Sequence, residues 1–410
     1  MSLSSTLLRA RRKFHSDGGR ELLSEIATTA VESDPARSFA RKYMLSQASI
    51  LEQSQLKDRS IRHWDCTVTD SVNQFESEIP IPPKRRLPNG QSFDGLQMSL
   101  PTSPFVAELE NVTVLSPSGI GITPDSELIK DTVASADSTT SRIEKIIARS
   151  FIKNGYRKTT NVLRSPTDHA DRQISLATTL VPVWQNYYHW TLECLPKLRG
   201  IETYYEQTGE SATILLPPDV SSWMRESLDL VGGDWLDTAV LQPGTTHVDQ
   251  FVIPSYPTPS RMECFWLRDR AHNAVGIAER KMNQYPSRIY VTRQNANVRR
   301  VKNESDVLEV LSEFNIEPYA LETLPVCEQV QLFANADLVV SPHGAGLANL
   351  VYGTSPSVLE LFGYKEKTTF YRLSELMGCE YDALFCETKR KDIITNVDEL
   401  SSKISKMLTN

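Results

Sequence analysis

From about Gln173 onward, short apolar runs alternate with amphipathic stretches. Ala177 to Trp184 reads as a strand and Asn186 to Tyr205 as a helix. Thr213 to Leu216 is strand-like and Val220 to Leu230 helix-like; Thr238 to Leu241 and Gln250 to Ile253 fit further strands, and Met262 to Asn283 a long helix. Tyr285-Pro286 breaks the pattern and marks a boundary between two lobes. Beyond it the rhythm sharpens. Strands are expected at Arg288 to Val291, Ile316 to Ala320, Asp337 to Val340 and Ser357 to Leu361. Helices are expected at Glu304 to Phe314, Cys327 to Ala334, Ala345 to Tyr352 and Thr369 to Met377. Repeated strand–helix alternation with short connections predicts an α/β fold of two Rossmann-like lobes with parallel sheets. Ligands in such sheets lie near the C-terminal ends of the strands.

The first part of the chain lacks this rhythm. Residues 1–60 read as a polar N-terminal helical region. Residues 61–172 are rich in Pro, Ser and Thr, with β-like runs such as Val112-Thr113-Val114-Leu115 before the turn residues Ser116-Pro117-Ser118-Gly119. This segment is expected to be an irregular β-containing subdomain. The two lobes then take residues 173–284 and 285–410.

Composition changes this picture little. The chain has 410 residues, 40% of them hydrophobic, and a formal charge of -7, which argues against a nucleic-acid partner. Six scattered cysteines without a C-x-x-C pair are poor material for a zinc site or a disulfide framework, and point to a reducing, cytoplasmic setting. No apolar run is long enough to span a bilayer. Leu3 to Phe14 mixes leucines with Arg9, Arg11, Arg12 and Lys13; it reads either as a solvated terminus or as a peripheral contact with an anionic membrane face.

Three segments carry candidate chemistry. In Ser341-Pro342-His343-Gly344-Ala345-Gly346 an apolar strand runs into a glycine turn and a helix. Backbone N–H groups at such a turn suit phosphate, with His343 as a further donor; tight packing is the alternative use of Gly344 and Gly346. Asn349 stands where the third glycine of a dinucleotide fingerprint belongs. Arg293, with Arg299, Arg300 and Lys302, follows the strand ending at Val291, where a guanidinium can fork onto phosphate. Asn303 after them reads as a helix N-cap. His189 and Glu193, four apart, share a helix face, either as a general base toward an acceptor hydroxyl or as a helix-stabilising pair. Tyr187, Tyr188 and Trp190 beside them are expected in the core, with stacking on a sugar as their alternative use. Glu360, closing its strand, is expected to reach a ribose. Asp234 and Asp237 lack D-x-D spacing, and no metal site is expected.

Taken in order, these segments resemble glycosyltransferase family 61. The likeness rests on Asn186-Tyr187-Tyr188-His189-Trp190 with Glu193 and Leu195-Pro196, then Arg288 to Arg293, Arg300, Asn303-Glu304, Glu328-Gln329, His343 to Asn349 and Val358 to Leu361. It covers roughly residues 105–385. The resemblance implies a GT-B fold, inversion at the anomeric carbon and no metal or other cofactor. The co-substrate is then a nucleotide sugar, a UDP-sugar first, with a glycan or lipid-linked glycan as acceptor in surface polysaccharide or glycoprotein glycan synthesis. Residues 173–284 become the acceptor lobe and 285–410 the donor lobe. By position, Arg293, Arg300, Asn303, His343, Gly344, Ala345, Gly346, Asn349 and Glu360 fall to the donor, and His189 and Glu193 to the acceptor side. Glu193 replaces the aspartate common in the family. Two rival readings are a NAD-dependent enzyme acting on nucleotide sugars and a non-catalytic scaffold in a glycan-assembly complex.

Overall fold

The computed structural model describes residues 49–66, 104–134, 143–148, 156–182, 184–277, 285–364 and 367–409. The basic start at Leu3 to Phe14 and most of the expected N-terminal helical region lie outside these residues.

Nine strands form the first sheet: β1 (Ser49–Leu51), β2 (Arg62–Asp65), β3 (Phe105–Leu115), β4 (Ile120–Ile122), β5 (Glu127–Ile129), β6 (Arg172–Thr179), β7 (Thr213–Leu216), β8 (Asp237–Val240) and β9 (Thr245–Pro254). The order is β1-β5-β4-β3-β9-β6-β7-β8, with β2 also pairing with β3. Strands β9, β6, β7 and β8 run parallel, as the alternating pattern predicts. The sheet does not end there. β3 pairs antiparallel with β9 along almost its whole length, from Val106 opposite Pro254 to Leu115 opposite Thr245. The strands expected in a separate subdomain before residue 172 therefore continue the sheet of the first lobe, which is mixed and not purely parallel. The reason lies in β3, whose Val106, Ala107, Val112 and Val114 are fully buried and need cover on both faces.

The second sheet is parallel throughout: β10 (Arg288–Val291), β11 (Glu317–Tyr319), β12 (Leu338–Pro342), β13 (Ser357–Phe362) and β14 (Tyr381–Phe385), in the order β11-β10-β12-β13-β14. Alternate residues serve opposite faces. Ile289, Val339 and Val358 join one core, whereas Tyr290, Leu338, Val340 and Leu359 join another against helices α6 (Glu304–Glu313) and α9 (Val397–Thr409). Period-two burial on both sides is why these strands read as unbroken apolar runs. The chain leaves β10 toward β11 on one side and returns to β12 on the other. The topological switch point thus lies between the C-terminal ends of β10 and β12. A small hairpin, β15 (Glu387–Lys389) with β16 (Asp392–Ile394), closes the loop that follows β10 through a bridge between Val301 and Ile393.

Helices between the sheets share one core. Two helices, α1 (Gln53–Arg59) and α2 (Tyr156–Arg164), come earlier in the chain; from the first half this core takes α3, which runs from Tyr187 to Thr208, α4 (Ser222–Val231) and α5 (Arg261–Val275). From the second come α7 (Val326–Asn335), a 3-10 segment (Ala345–Tyr352) and α8 (Thr369–Met377). Trp190, Leu198, Met224 and Leu267 pack in the same cluster as Val330, Phe333, Leu347 and Tyr352. The boundary seen in the sequence at Tyr285-Pro286 is a connection between sheets, and the hydrophobic core runs across it.

Candidate functional site

The loop leaving β10 and the turn leaving β12 meet at the switch point. Arg293 is half buried there. Among the described residues its one hydrogen bond runs from Nη2 to the Val298 carbonyl at 3.2 Å, and Nε is buried without a partner. Among the described residues no carboxylate forms an ion pair with it. Burial holds its guanidinium down to about 10, and the neighbouring charge of Arg299 adds to the effect. Arg299, at positive φ with Nε likewise buried and unpartnered, is lowered by burial as well. Two desolvated guanidinium groups side by side, neither of them in an ion pair among the described residues, are unfavourable unless an anion completes the site.

Gly344 explains how Arg293 fits. Its φ of -175° is open to any residue, so conformation is not the constraint. A Cβ at this position would lie 2.9 Å from Cζ of Arg293 and collide with Nη1. Glycine here leaves the space that the guanidinium fills. Gly346 is tight for another reason, since a Cβ would press on Leu321 and Val291 at 3.0 and 3.3 Å. Ala345 is part exposed and opens the 3-10 segment.

His343 directly follows β12, stacked on Phe362 with centroids 5.4 Å apart and tilted against Phe370. Its Nδ1 lies 2.5 Å from Oε1 of Glu360 on the neighbouring strand. The other carboxylate oxygen of Glu360 accepts from the Tyr381 hydroxyl at 2.6 Å. Burial pushes Glu360 upward, against the opposing pull of His343 and Tyr381. Both oxygens are engaged and the residue has no exposed surface, so Glu360 cannot reach a ribose as the sequence suggests. It backs the histidine instead.

The other half of the site is α3. Asn186 caps it by accepting from the His189 backbone N–H at 3.1 Å. The helix begins as one α turn (Tyr187–His189), widens to π over Trp190–Cys194, tightens to 3-10 over Leu195–Lys197 and ends as α over Leu198–Thr208. Pro196 accounts for the change: it removes a backbone donor and its ring crowds the carbonyl four residues earlier. The Leu195 N–H then bonds to the Trp190 carbonyl, the π spacing. This wider turn carries Glu193. One of its oxygens lies 2.9 Å from His189 Nδ1, and the other accepts from the Tyr256 hydroxyl at 2.7 Å. Ring contacts join the two halves: His189 to Tyr188, Tyr188 to Phe370, and Phe370 to His343, with centroids between 5.3 and 5.8 Å.

Three expected donor residues are committed to the protein itself. Asn349 has no exposed surface; it accepts from the Tyr187 hydroxyl at 2.7 Å and donates to Gln329 and to the Gly346 carbonyl. It ties α3 to the glycine turn, binding one half of the molecule to the other. Arg300 pairs with Asp392 at 3.0 Å. Asn303 does not cap α6; its amide donates to and accepts from the Thr395 backbone. Conversely, Arg299, Tyr256 and Tyr381 reach the site, and only Arg299 left a trace in the sequence, as one of a basic group. Trp190 is in the core as expected, its Nε1 donating to Ser227 Oγ. Among the described residues no three His, Cys, Asp or Glu side chains gather to hold a metal ion.

Residues 187–359, which carry Glu193, Tyr256, Arg293 and His343 but stop short of Glu360 and Tyr381, match the model of a protein family described as Glycosyltransferase 61. The match makes residues 187–359 similar to glycosyltransferase family 61. The chain is also similar, at 25% identity over 123 residues, to a protein of Drosophila melanogaster named EGF domain-specific O-linked N-acetylglucosamine transferase. That likeness covers 29% of this chain and 23% of the fly protein, so the matched part spans about a quarter of the relative. The family 61 region begins at the first helical residue of α3 and ends on β13, one residue before Glu360.

Proposed function

We propose that this chain is an inverting, metal-independent glycosyltransferase of GT-B type, moving a sugar from a nucleotide sugar to an acceptor hydroxyl of a glycan or lipid-linked glycan. The observation that carries this reading is Arg293, half buried with Nε unpartnered and with no ion pair among the described residues, seated against Gly344 at the switch point. A diphosphate bound there would meet Arg293, Arg299 and His343. Across the crevice, Glu193, steadied by Tyr256, takes the proton of the acceptor hydroxyl, which attacks the anomeric carbon from the face opposite the leaving diphosphate. The transition state is oxocarbenium-like, and negative charge grows on the departing phosphate toward the arginines. The six cysteines are free, which supports a reducing, cytoplasmic setting.

The fly relative's name makes N-acetylglucosamine and a protein hydroxyl the first donor and acceptor to try. Thermal-shift measurements with UDP, GDP, CMP and their sugars test the reading directly. A shift with one nucleoside diphosphate, and none with the others, is expected. No shift with any of them, together with no release of nucleotide from the sugars, would discard it in favour of a non-catalytic scaffold.

A further inference from the structure

The pair formed by His343 and Glu360 is more than an anion site requires. A histidine that only donated to phosphate would need no carboxylate behind it. Here the carboxylate is fully buried, its two oxygens divided between Nδ1 of His343 and the hydroxyl of Tyr381. Nδ1 is thereby fixed as the nitrogen that faces the protein, and the ring is held flat on Phe362. Nε2 has no hydrogen-bond partner among the described residues, which leaves it as the ring nitrogen available to a ligand. Two arginines on the loop after β10 surround the same space, and their charge by itself would oppose a protonated ring. Glu360 supplies the negative charge that offsets them.

We propose, building on the transferase reading, that His343 gives a proton to the departing diphosphate and that Glu360, held by Tyr381, positions it for that transfer. In the step, the bond from the anomeric carbon to the phosphate oxygen breaks, and its electrons go to that oxygen. The Nε2 proton moves to the same oxygen, leaving His343 neutral. The acceptor oxygen forms the new bond to the anomeric carbon as its own proton passes to Glu193. Both groups then exchange their protons with solvent and are reset. The charged and titratable groups around the ring are Glu360 from β13, Tyr381 from β14, Arg293 and Arg299 from the loop after β10, and Tyr364 beyond β13, which acts on both arginines.

Calorimetry of UDP binding in buffers of different ionisation enthalpy tests this without depending on turnover. At mildly alkaline pH, where free UDP has lost its own phosphate protons, the protein should take up about one proton per UDP bound. His343→Gln should abolish that uptake while UDP still binds. Glu360→Gln should move the uptake to lower pH, and Tyr381→Phe should move it less far in the same direction. Transfer by Glu360→Gln should fall by about 10²-fold in kcat with little change in KM for the donor. Proton uptake that persists in His343→Gln, or that stays at the same pH in both Glu360→Gln and Tyr381→Phe, overturns the inference alone. Failure of UDP, GDP and CMP to bind the wild-type protein overturns the transferase reading and the inference with it.

Discussion

The Arg293 guanidinium is half buried, its Nε has no partner, and its remaining hydrogen bond is a long one to a backbone carbonyl. Removing it leaves no carboxylate orphaned, so Arg293→Ala should spare the fold. It should reduce kcat by about 10²–10³-fold, or ~2.7–4 kcal/mol of transition-state stabilisation. Equal turnover in the variant and wild type would remove Arg293 from the mechanism. Gly344→Ala acts on the same group from behind, because the new methyl occupies the guanidinium's place. A displacement of about 1 Å can cost ~10²-fold, so turnover should drop in a protein that still melts at the wild-type temperature. Glu193→Gln keeps the size and the Tyr256 contact but removes the base. Transfer should be lost while thermal-shift titration still detects nucleotide; retained transfer would hand the base role to His189 or another group.

At the scale of elements, the glycine turn and α3 depend on each other through Asn349. Tyr187→Phe leaves Asn349 Oδ1 buried without its hydroxyl donor. Such a loss costs about 1–3 kcal/mol, which urea unfolding should register as a lower midpoint at unchanged slope. Nucleotide affinity should hardly move, since neither side chain faces the ligand. A large loss of affinity would mean that the tie also sets the shape of the turn. The π segment shows the same interdependence within one helix. Pro196 shifts the hydrogen-bond ladder, and the wider turn lets Glu193 meet both His189 and Tyr256.

At the scale of the molecule, charge is buried between the first sheet and α3. Asp131 is raised to about 6, first by burial, although it accepts from the Tyr256 backbone and feels Lys197. Lys197 is lowered to about 8 by its own burial. The sign for Asp131 follows from its folded value lying above the usual 3.8. Its contribution to stability is complete below that value and disappears as pH rises through about 6, a change of about 3 kcal/mol. Urea midpoints of the wild type and Asp131→Asn, compared between pH 4 and 7, should therefore diverge in favour of the variant as pH rises. Parallel curves would show that Asp131 keeps its ordinary affinity for protons.

The sequence by itself determined the parallel second sheet and the neighbourhood of its site. Strands buried on both faces must be continuous apolar runs, and basic or glycine residues just past their ends fall at the crevice by topology. It also placed His189 and Glu193 on one face, because four residues make about one helical turn. Which polar groups are free for a ligand was decided by tertiary structure alone. Asn349, Arg300, Asn303 and Glu360 are suitable ligand residues by type and position, yet each has found a partner distant in sequence or on an adjoining strand. Arg293 has not. A hydrogen bond across the core depends on where two separate segments are brought together, and local periodicity carries no record of it. For the same reason the antiparallel pairing of β3 with β9 was hidden, and with it the joining of the early β strands to the first lobe.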